Sequence, residues 1–363
     1  MRLTLAEKAI VLIDSLEGLE YKHKKSILSF LSKPELLFST SAEVKKCIAS
    51  ILGENRAKTL FAAITPEYLN GVLSMFIDAE VTPVTFISDE YPESLKQLDT
   101  YPLVLYAKGD LSLLKSKCFA IVGSRKCLPY ATALAKEYST VLSKNGVTVV
   151  TGSAGGADKA AIDGALAGGG KVISVLTGGI NHVYPEYNKS LVMSVADKGL
   201  VLSEQAPSIV PKPWMFPVRN RIIAGLSKGV LIVGGEKTSG ARHTADYALE
   251  YGKDVYAFPY SLGIATGELN NELIKNGAYL CDDVKDILDC FGIAETTDEV
   301  SELEDEERLV FDYVKNGVGD VNVLVEKTGL KMYELAPALS SLEIQGYIVK
   351  TAGNNYQIGR AHV

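Results

Sequence analysis

Between Lys117 and Ile293 the sequence alternates short, almost wholly apolar runs with longer segments of helical periodicity. Strands buried on both faces of a sheet read as continuous apolar runs, and a parallel pair of strands needs a crossover, usually a helix, between them. Six such runs occur, in the order CFAIVG, VTVVT, KVISVL, LVLS, GVLIVG and VYAF. This alternation predicts an α/β fold, in which helices cover both faces of a parallel sheet.

The segments on either side of this region have different patterns. From Thr4 to about Met75 apolar residues recur at helical spacing, which predicts a small helical domain. The last segment reads as three helices and a terminal hairpin that turns at Asn354-Asn355, the pattern of a winged helix. We therefore predict four parts: a helical domain over 1–78, the α/β domain over 79–293, an acidic linker over 294–304 and a winged helix over 305–363.

Charge is distributed unevenly along the chain. The formal net charge is −7, but residues 282–307 contain twelve acids and one base, so the remainder is net positive. Two stretches contain no acid at all, one between Asp110 and Glu137 and one between Glu204 and Glu236. Their bases are Lys115, Lys117, Arg125, Lys126 and Lys136 in the first, and Lys212, Arg219, Arg221 and Lys228 in the second. If the fold brings these stretches together, they form a basic site suited to phosphates.

Several classes of protein are disfavoured by the sequence. The N-terminal segment is interrupted by Glu7, Lys8 and Asp14, so we expect no export signal, and no apolar run is long enough to cross a bilayer. The five cysteines form no CxxC pair and no cluster with histidine, so we expect neither disulfides nor a metal site. We expect a cytoplasmic protein that does not associate with membranes.

The first candidate binding site follows the first apolar run. There Gly123, Ser124, Arg125 and Lys126 link a buried strand to a helix that starts near Tyr130. Such a turn points backbone N–H groups and the positive end of a helix dipole at one place, and Arg125 adds a planar fork for phosphate. The alternative is a simple turn with Arg125 in a surface ion pair.

Two further glycine-rich turns follow later strands. Gly152, Ser153 and Gly155 come after VTVVT, where glycine permits close approach of a ligand at the carboxyl edge of the sheet. In this turn Asp158 is either an N-cap, which we favour, or part of the site. Ser239, Gly240 and His243 follow GVLIVGG and begin another helix; His243 either aids binding or is a structural donor.

The segment from Lys212 to Arg221 interleaves Trp214 and Phe216 with three cations and has no acid. Single-stranded nucleic acid binds such a surface, because its bases stack on aromatic rings while its phosphates meet positive charge. Within this segment the predicted contacts are Lys212, Phe216, Arg219, Asn220 and Arg221. Trp214 could equally be a core residue between prolines.

No pattern of catalytic residues stands out in the sequence. It contains neither a GxxxxGK[ST] loop nor a GxGxxG fingerprint, and no triad or paired carboxylates can be recognised. We therefore expect a binding protein without enzymatic activity and without a cofactor.

With these residues identified, the chain resembles the DNA processing protein A (DprA/Smf) family over nearly its whole length. Four segments carry the resemblance: Tyr91-Pro92 with the stretch from Tyr101 to Asp110, IVGSR at 121–125, Ser203-Glu204, and FPVRNRIIAGLS at 216–227. The chain departs from the family pattern at Ala161-Ile162, at Gly234-Gly235, at Arg242-His243 and at Pro259-Tyr260.

The resemblance implies an N-terminal domain of the SAM or helix-hairpin-helix type, an extended Rossmann fold and a C-terminal winged helix. It further implies a homodimer that binds and protects incoming single-stranded DNA and helps to load the RecA recombinase in natural transformation and recombination. Family binding residues carried over are Gly123, Ser124, Arg125 and the segment Phe216 to Arg221, with Lys212 as an addition.

Two other functions remain open. One is a Rossmann-like nucleoside monophosphate phosphoribohydrolase, whose PGGxGT loop and glutamate are not reproduced around Gly234-Gly235. The other is a winged-helix transcription regulator. The helix expected to enter a DNA groove, about Met332 to Gln345, contains Glu334 and Glu343 but no lysine or arginine, so we expect the winged helix to bind protein or to pack internally.

Overall fold

A nine-stranded sheet is the centre of the first of two compact units, which comprise residues 1–293 and 294–363. The computed structural model describes residues 3–16, 18–39, 41–293, 303–351 and 353–359. The sheet strands are β1 (Thr82–Thr85), β2 (Val104–Gly109), β3 (Cys118–Val122), β4 (Thr148–Thr151), β5 (Val172–Val175), β6 (Leu200–Ser203), β7 (Gly229–Ile232), β8 (Asp254–Ala257) and β9 (Tyr279–Leu280).

The spatial order of the strands is β1-β2-β6-β5-β4-β3-β7-β8-β9. The seven strands from β6 to β9 in this order are parallel to one another, whereas β2 pairs antiparallel with β6 and with β1. All six predicted apolar runs are strands of the parallel part, so the predicted α/β fold is confirmed. The chain leaves β3 in one direction toward β6 and later returns to β7 on the other side of β3. Such a reversal makes a crevice at the carboxyl ends of the strands, where sheets of this type bind ligands.

Helices pack on both faces of the sheet. Along β3, Phe119 and Ile121 belong to one apolar cluster while Ala120 and Val122 belong to the other, because successive side chains point to opposite faces. The helices of this unit are α1 (Leu5–Ser15), α2 (Tyr21–Phe30), α3 (Ala42–Leu52), α4 (Glu54–Ala63), α5 (Pro66–Asp78), α6 (Glu93–Lys96), α7 (Pro129–Lys144), α8 (Ala157–Ala167), α9 (Lys189–Lys198), α10 (Met215–Leu226), α11 (Ala241–Glu250), α12 (Glu268–Lys275) and α13 (Lys285–Cys290). The first cluster includes residues of α1–α5, α7 and α8, and the second includes residues of α10–α12.

The N-terminal helices share an apolar core with the sheet. Buried Ile10 and Phe76 lie in the same cluster as Tyr106 of β2, and the Phe76 and Tyr106 rings are 5.4 Å apart. The structure therefore holds 1–78 and 79–293 within one compact unit, and a domain boundary at residue 78 stays a prediction.

The second unit is a winged helix, as the sequence predicted. Its helices are α14 (Asp305–Lys315), α15 (Val321–Thr328) and α16 (Met332–Ile344), and its hairpin pairs β10 (Ile348–Thr351) with β11 (Asn355–Ile358). Asn354 has a φ of 57°, a left-handed conformation that asparagine tolerates in tight turns. Most of the predicted acidic linker, residues 294–302, lies outside the described residues.

Within the part of the chain that the structure describes, no single helix is both long and apolar enough to cross a bilayer. One pair of helices, α4 and α5, meets those two criteria only jointly, across a 68° bend.

Candidate nucleic-acid interface

The turn after β3 is held by neighbouring segments. A Cβ atom on Gly123 would lie 2.8 Å from Cβ of Ala157, which explains why glycine is needed at this position. The backbone N–H of Ser124 donates to the carbonyl of Gly234 at 2.7 Å, and the N–H of Lys126 donates to Oγ of Ser124 at 3.1 Å. The expected free amides are thus partly used inside the protein. The turn instead presents the exposed side chains of Arg125 and Lys126.

The glycine-rich turn after β4 makes room for two buried charged side chains, Asp158 and Arg219. A Cβ on Gly152 would overlap the Asp158 carboxylate and lie 2.8 Å from Nη1 of Arg219. Asp158 accepts a hydrogen bond from the N–H of Ala154 at 3.1 Å. Our favoured N-cap assignment for Asp158 is wrong: the N-cap of α8 is Gly156, and Asp158 is a buried residue of the first turn.

Ser153 and Gly155 belong to the same turn as Gly152. Ser153 is buried and its carbonyl accepts from the side-chain amide of Asn188 at 2.8 Å. Gly155 is half-buried, and a Cβ on it would lie 3.5 Å from the hydroxyl of Tyr187. Of these two residues, only Gly155 lies at the surface where a ligand could approach its backbone.

Arg219 and Arg221, which we predicted as DNA contacts, both lie in the interior within α10. Arg219 is 9% exposed, donates to the carbonyl of Val175 at the end of β5, and lies beside Asp158. Arg221 is 5% exposed and pairs with Glu204, after β6, at 2.5 Å. Neither guanidinium is accessible to a DNA strand in this structure. The two arginines instead join α10 to the carboxyl ends of three adjacent strands.

Burial sets the proton affinities of these groups. It raises the pKa of the Asp158 carboxyl, an effect that the neighbouring Arg219 opposes, and it lowers the pKa of Arg219. The pKa of Glu204 is likewise raised by burial, against the attraction of Arg221. The positive charge of a nearby guanidinium offsets part of the cost of burying each carboxylate.

The ring of Tyr184, in the loop after β5, contacts both Arg125 and Phe216, a residue of the first turn of α10. The loop after β5 packs on the loop after β6, where the N–H of Gly179 donates to the carbonyl of Ile209 at 2.8 Å. As a result the rings of Tyr184 and Phe216 meet edge to face, with centroids 5.7 Å apart. The Arg125 guanidinium lies over the Tyr184 ring, 5.7 Å from its centroid. We call Arg125, Tyr184 and Phe216 the cation–aromatic row.

The sequence analysis did not identify Tyr184. It lies in a loop with little regular pattern, and its role depends on the packing of two loops that are distant in sequence. A signal was available, because Tyr184 and Tyr187 both follow a predicted strand and therefore had to lie at the carboxyl edge of the sheet. Both rings are at the surface, with Tyr184 50% and Tyr187 75% exposed.

Further cations and an aromatic ring lie near the row in the chain. Lys126 and Lys212 are exposed, and Trp214 is 60% exposed, so the alternative of a core tryptophan is wrong. Because the indole ring is open to solvent at the start of α10, close in sequence to Phe216, it extends the set of rings available for stacking.

The turn after β7 reaches the same edge. The side-chain amide of Asn220 donates to the carbonyl of Gly240 at 3.2 Å and so links α10 to the start of α11. Ser239 accepts at its Oγ from the N–H of Ala241 at 3.4 Å, whereas the His243 ring is exposed. Arg242 is engaged with Glu272 at 3.0 Å. The three predicted turns are therefore neighbours, while only some of their polar groups are free.

The chemistry of this edge favours binding. The Glu204 carboxylate is paired with Arg221, and the buried Asp158 carboxylate accepts from the N–H of Ala154 and has Arg219 nearby. Burial raises the pKa of the Cys127 thiol to about 11, so this thiol stays protonated at neutral pH.

Comparison with known proteins gives consistent matches. The family model described as DNA recombination-mediator protein A matches residues 82–292, and that of the DprA winged helix domain matches residues 294–354. DNA processing protein DprA of Bacillus subtilis is 36% identical over 221 residues, which cover 60% of this chain and 74% of that protein. Protein Smf of Escherichia coli is 35% identical over 286 residues, which cover 76% of each chain.

Solved structures agree with these matches. DNA processing protein A from Streptococcus pneumoniae aligns with a TM-score of 0.68 at 31% identity, over 80% of this chain and 98% of that chain. DNA processing protein A from Helicobacter pylori, described for its unique single-stranded DNA binding mode, aligns with a TM-score of 0.54 at 28% identity, over 59% of this chain and 97% of that chain. The resemblance found in the sequence is confirmed, and the chain belongs to the DNA recombination-mediator protein A family, the family of DprA and Smf.

Proposed function

We propose that this chain binds single-stranded DNA at the carboxyl edge of its parallel sheet and does not cleave it. The observation that carries this proposal is the cation–aromatic row, in which one exposed guanidinium and two rings form a continuous surface. A strand that crosses this surface can place a phosphate at Arg125 and bases against the rings. Stacking on aromatic side chains contributes about 1 to 3 kcal/mol per base.

The same surface disfavours a duplex. Bases in a double helix are already stacked on one another, so rings on a protein surface cannot reach their faces unless the helix opens. The preference for single strands therefore follows from the rings, while the cations supply affinity that is independent of sequence.

The predicted site residues fall into two groups under this proposal. The first group contacts the DNA directly. It consists of exposed or half-buried side chains and of glycines at which the DNA strand can approach the protein backbone. The first group consists of Ser124, Arg125, Lys126, Lys212, Phe216, Asn220, Ser239 and His243, with the added Tyr184 and Trp214, together with Gly123, Gly155 and Gly240. The second group, Gly152, Ser153, Arg219 and Arg221, supports the surface from inside.

The relatives support this assignment. The Helicobacter pylori structure concerns single-stranded DNA binding by a protein that aligns with 59% of this chain. The proposal extends that property to this chain on the strength of the aligned fold and of the row that its own residues form.

We also propose that the chain has no enzymatic activity of its own. The phosphoribohydrolase alternative needs a carboxylate placed at the sugar, whereas Glu204 is paired with Arg221 and Asp158 is buried in the interior near Arg219. Incubating the protein with nucleoside monophosphates tests this directly. Release of free base would support the alternative over the proposal.

The remaining expectations derive from the family resemblance. We infer that the chain forms a homodimer, works in the cytoplasm, protects incoming single strands and helps RecA to assemble on them during natural transformation and recombination. Light scattering of the purified chain tests the dimer. A rise in the rate of RecA filament assembly on single-stranded DNA when the chain is added tests the loading function.

The role of Arg125 gives the sharpest test of strand binding. Arg125→Ala removes one phosphate contact and one partner of the Tyr184 ring, so we expect weaker binding of oligothymidylate. The slope of log affinity against log salt concentration should become shallower by about 0.7. Lys46→Ala, at an exposed cation of α3, is the matched control and should leave both quantities unchanged. An unaltered salt slope for Arg125→Ala would contradict the proposal.

A further inference from the structure

A second cationic surface lies at the opposite edge of the sheet. An open groove of about 690 Å³ is lined there by four lysines. We call this the lysine groove, and its four ammonium groups belong to Lys115, Lys117, Lys228 and Lys253. Three of these lysines come from the acid-free stretches of the sequence, and the site at the carboxyl edge does not use them.

The topology of the sheet creates this cluster. Three strands that lie side by side, β3, β7 and β8, are each preceded directly by a lysine. Gly229 pairs with Asp254, so Lys228 and Lys253 enter the sheet side by side on adjacent strands, which are spaced about 4.8 Å apart. Lys117 enters β3 on the other side of β7, and Lys115 ends the short helical turn before it.

The charge of the groove is largely unneutralised. Throughout the residues that the structure describes, no hydrogen bond or ion pair engages the ammonium groups of Lys115, Lys117 or Lys253. Lys228 donates to the carbonyl of Cys290 and lies 5.1 Å above the ring of Phe291.

Two carboxylates, Asp89 and Glu93, line the same groove. Glu93 is paired with Lys96 at 2.7 Å. The lining therefore has an excess of positive charge. Burial lowers the pKa of Lys253, as expected for a cation without a counter-ion.

The ends of helices do not account for this excess. Helices α10 and α11 end at Leu226 and Glu250, just before β7 and β8, and each carbonyl end carries about half a negative charge. Lysines that served only to neutralise these ends would hydrogen-bond their carbonyls. Lys253 makes no such side-chain bond, and Lys115 and Lys117 precede β3 and follow neither helix.

We propose that the lysine groove is a second contact surface for the phosphate backbone of single-stranded nucleic acid, occupied by strands long enough to leave the cation–aromatic row and pass around the sheet. This inference rests on the strand binding proposed above. The two surfaces lie at opposite ends of strands such as β3, whose five residues span about 16 Å.

The lining of the groove determines the kind of contact. Its aromatic residues are not available for stacking, because the Phe291 ring has Lys228 over it and Tyr91 is buried with its hydroxyl bound to the carbonyl of Pro102. The groove therefore binds phosphates and does not read bases. It adds affinity and salt dependence to long strands and contributes nothing to short ones.

The test uses the full chain with Lys115, Lys117 and Lys253 all changed to Gln. Binding of oligothymidylates of about five and about thirty nucleotides is measured by fluorescence anisotropy at several salt concentrations. Each phosphate contact contributes about 0.7 to the salt slope, so the triple variant should lose about 2 units of slope with the long strand. Its affinity for the short strand should equal that of the wild type, which also shows that the variant is folded.

A matched control removes equal charge elsewhere. Lys33, Lys46 and Lys58 are exposed on the N-terminal segment, and changing all three to Gln should alter neither slope. A second readout is acylation of lysines in the wild type: a bound long strand should protect Lys115, Lys117 and Lys253, and a bound short strand should not.

The outcomes separate the two proposals. Two results together would overturn the groove proposal: a wild-type salt slope for the long strand in the Lys115/Lys117/Lys253 variant, and no protection of these lysines in the wild type. Strand binding at the carboxyl edge would still stand. An equal loss of salt slope with the long strand in both triple variants would show an effect of net charge only, and it would also overturn the groove proposal. If the wild type bound neither oligomer, strand binding itself would be wrong and the groove proposal would fall with it.

Discussion

Tyr184 and Phe216 supply the two aromatic rings of the proposed binding surface. Each ring offers a face for one base, so Tyr184→Ala and Phe216→Ala should each weaken binding of oligothymidylate by about 1 to 3 kcal/mol. The salt slope should stay close to that of the wild type, because no charge is removed. Fluorescence anisotropy at two salt concentrations measures both quantities.

A conservative change separates stacking from other effects of Tyr184. Tyr184→Phe keeps the ring and its contact with Phe216 but removes the hydroxyl, so it should bind as the wild type does. Loss of affinity in Tyr184→Phe comparable to that in Tyr184→Ala would mean that the hydroxyl, and not the ring face, makes the contact.

The ion pair of Arg221 with Glu204 stabilises the elements that carry the proposed DNA-binding surface. Arg221→Met leaves the Glu204 carboxylate in the interior without its partner, which should destabilise the first unit by about 3 to 5 kcal/mol. The midpoint of thermal unfolding, followed by circular dichroism, should fall by several degrees. The double change Glu204→Gln with Arg221→Met should recover part of this loss, and a wild-type midpoint for Arg221→Met alone would refute the role assigned to the pair.

The sequence predicted part of this site and not the rest, for physical reasons. Arg125 could be predicted because it follows the end of a strand. Phe216 could be predicted because it lies in a segment that contains cations and no acid. Arg219 and Arg221 carry the same sequence signals, but a helical residue faces either inward or outward according to its position on the helix, and both face inward. Only the packing shows that distinction.

At the scale of elements, the apolar runs predicted the parallel strands well. Burial on both faces leaves a strong compositional signal, and all six runs became strands. The pairing of β1 and β2 with the edge of the same sheet was not predicted, because their segment is rich in proline and tyrosine and its pattern indicates only extended or irregular chain. β9 has two residues, too few for any periodicity.

The winged helix has an element whose charge opposes duplex binding. Helix α16 contains Glu334 and Glu343 and no lysine or arginine, and phosphates would repel it from a groove. A fragment of residues 303–363, which has an apolar core of its own, should therefore not shift duplex DNA in a gel at moderate salt. A stable complex under those conditions would refute this and would favour the transcription-regulator alternative.

For the whole molecule, the distribution of charge matters more than its sum. The net charge is −7, yet twelve of the 44 acids lie in 282–307 and the rest of the chain is net positive, while the carboxyl edge of the sheet presents Arg125, Lys126 and Lys212 at its surface. An acidic protein can bind a polyanion when its cations are grouped and its acids lie in another segment of the chain. The α/β topology groups them, because every parallel strand delivers its carboxyl-terminal turn to one edge.

One measurement tests the central claim most directly: titration of the full chain with single-stranded and double-stranded DNA of equal length and sequence, at a low and a moderate salt concentration. The account predicts tight binding of the single strand, affinity that falls as salt rises, and markedly weaker binding of the duplex at both concentrations. Equal affinity for the two forms, or single-strand binding that does not respond to salt, would contradict it.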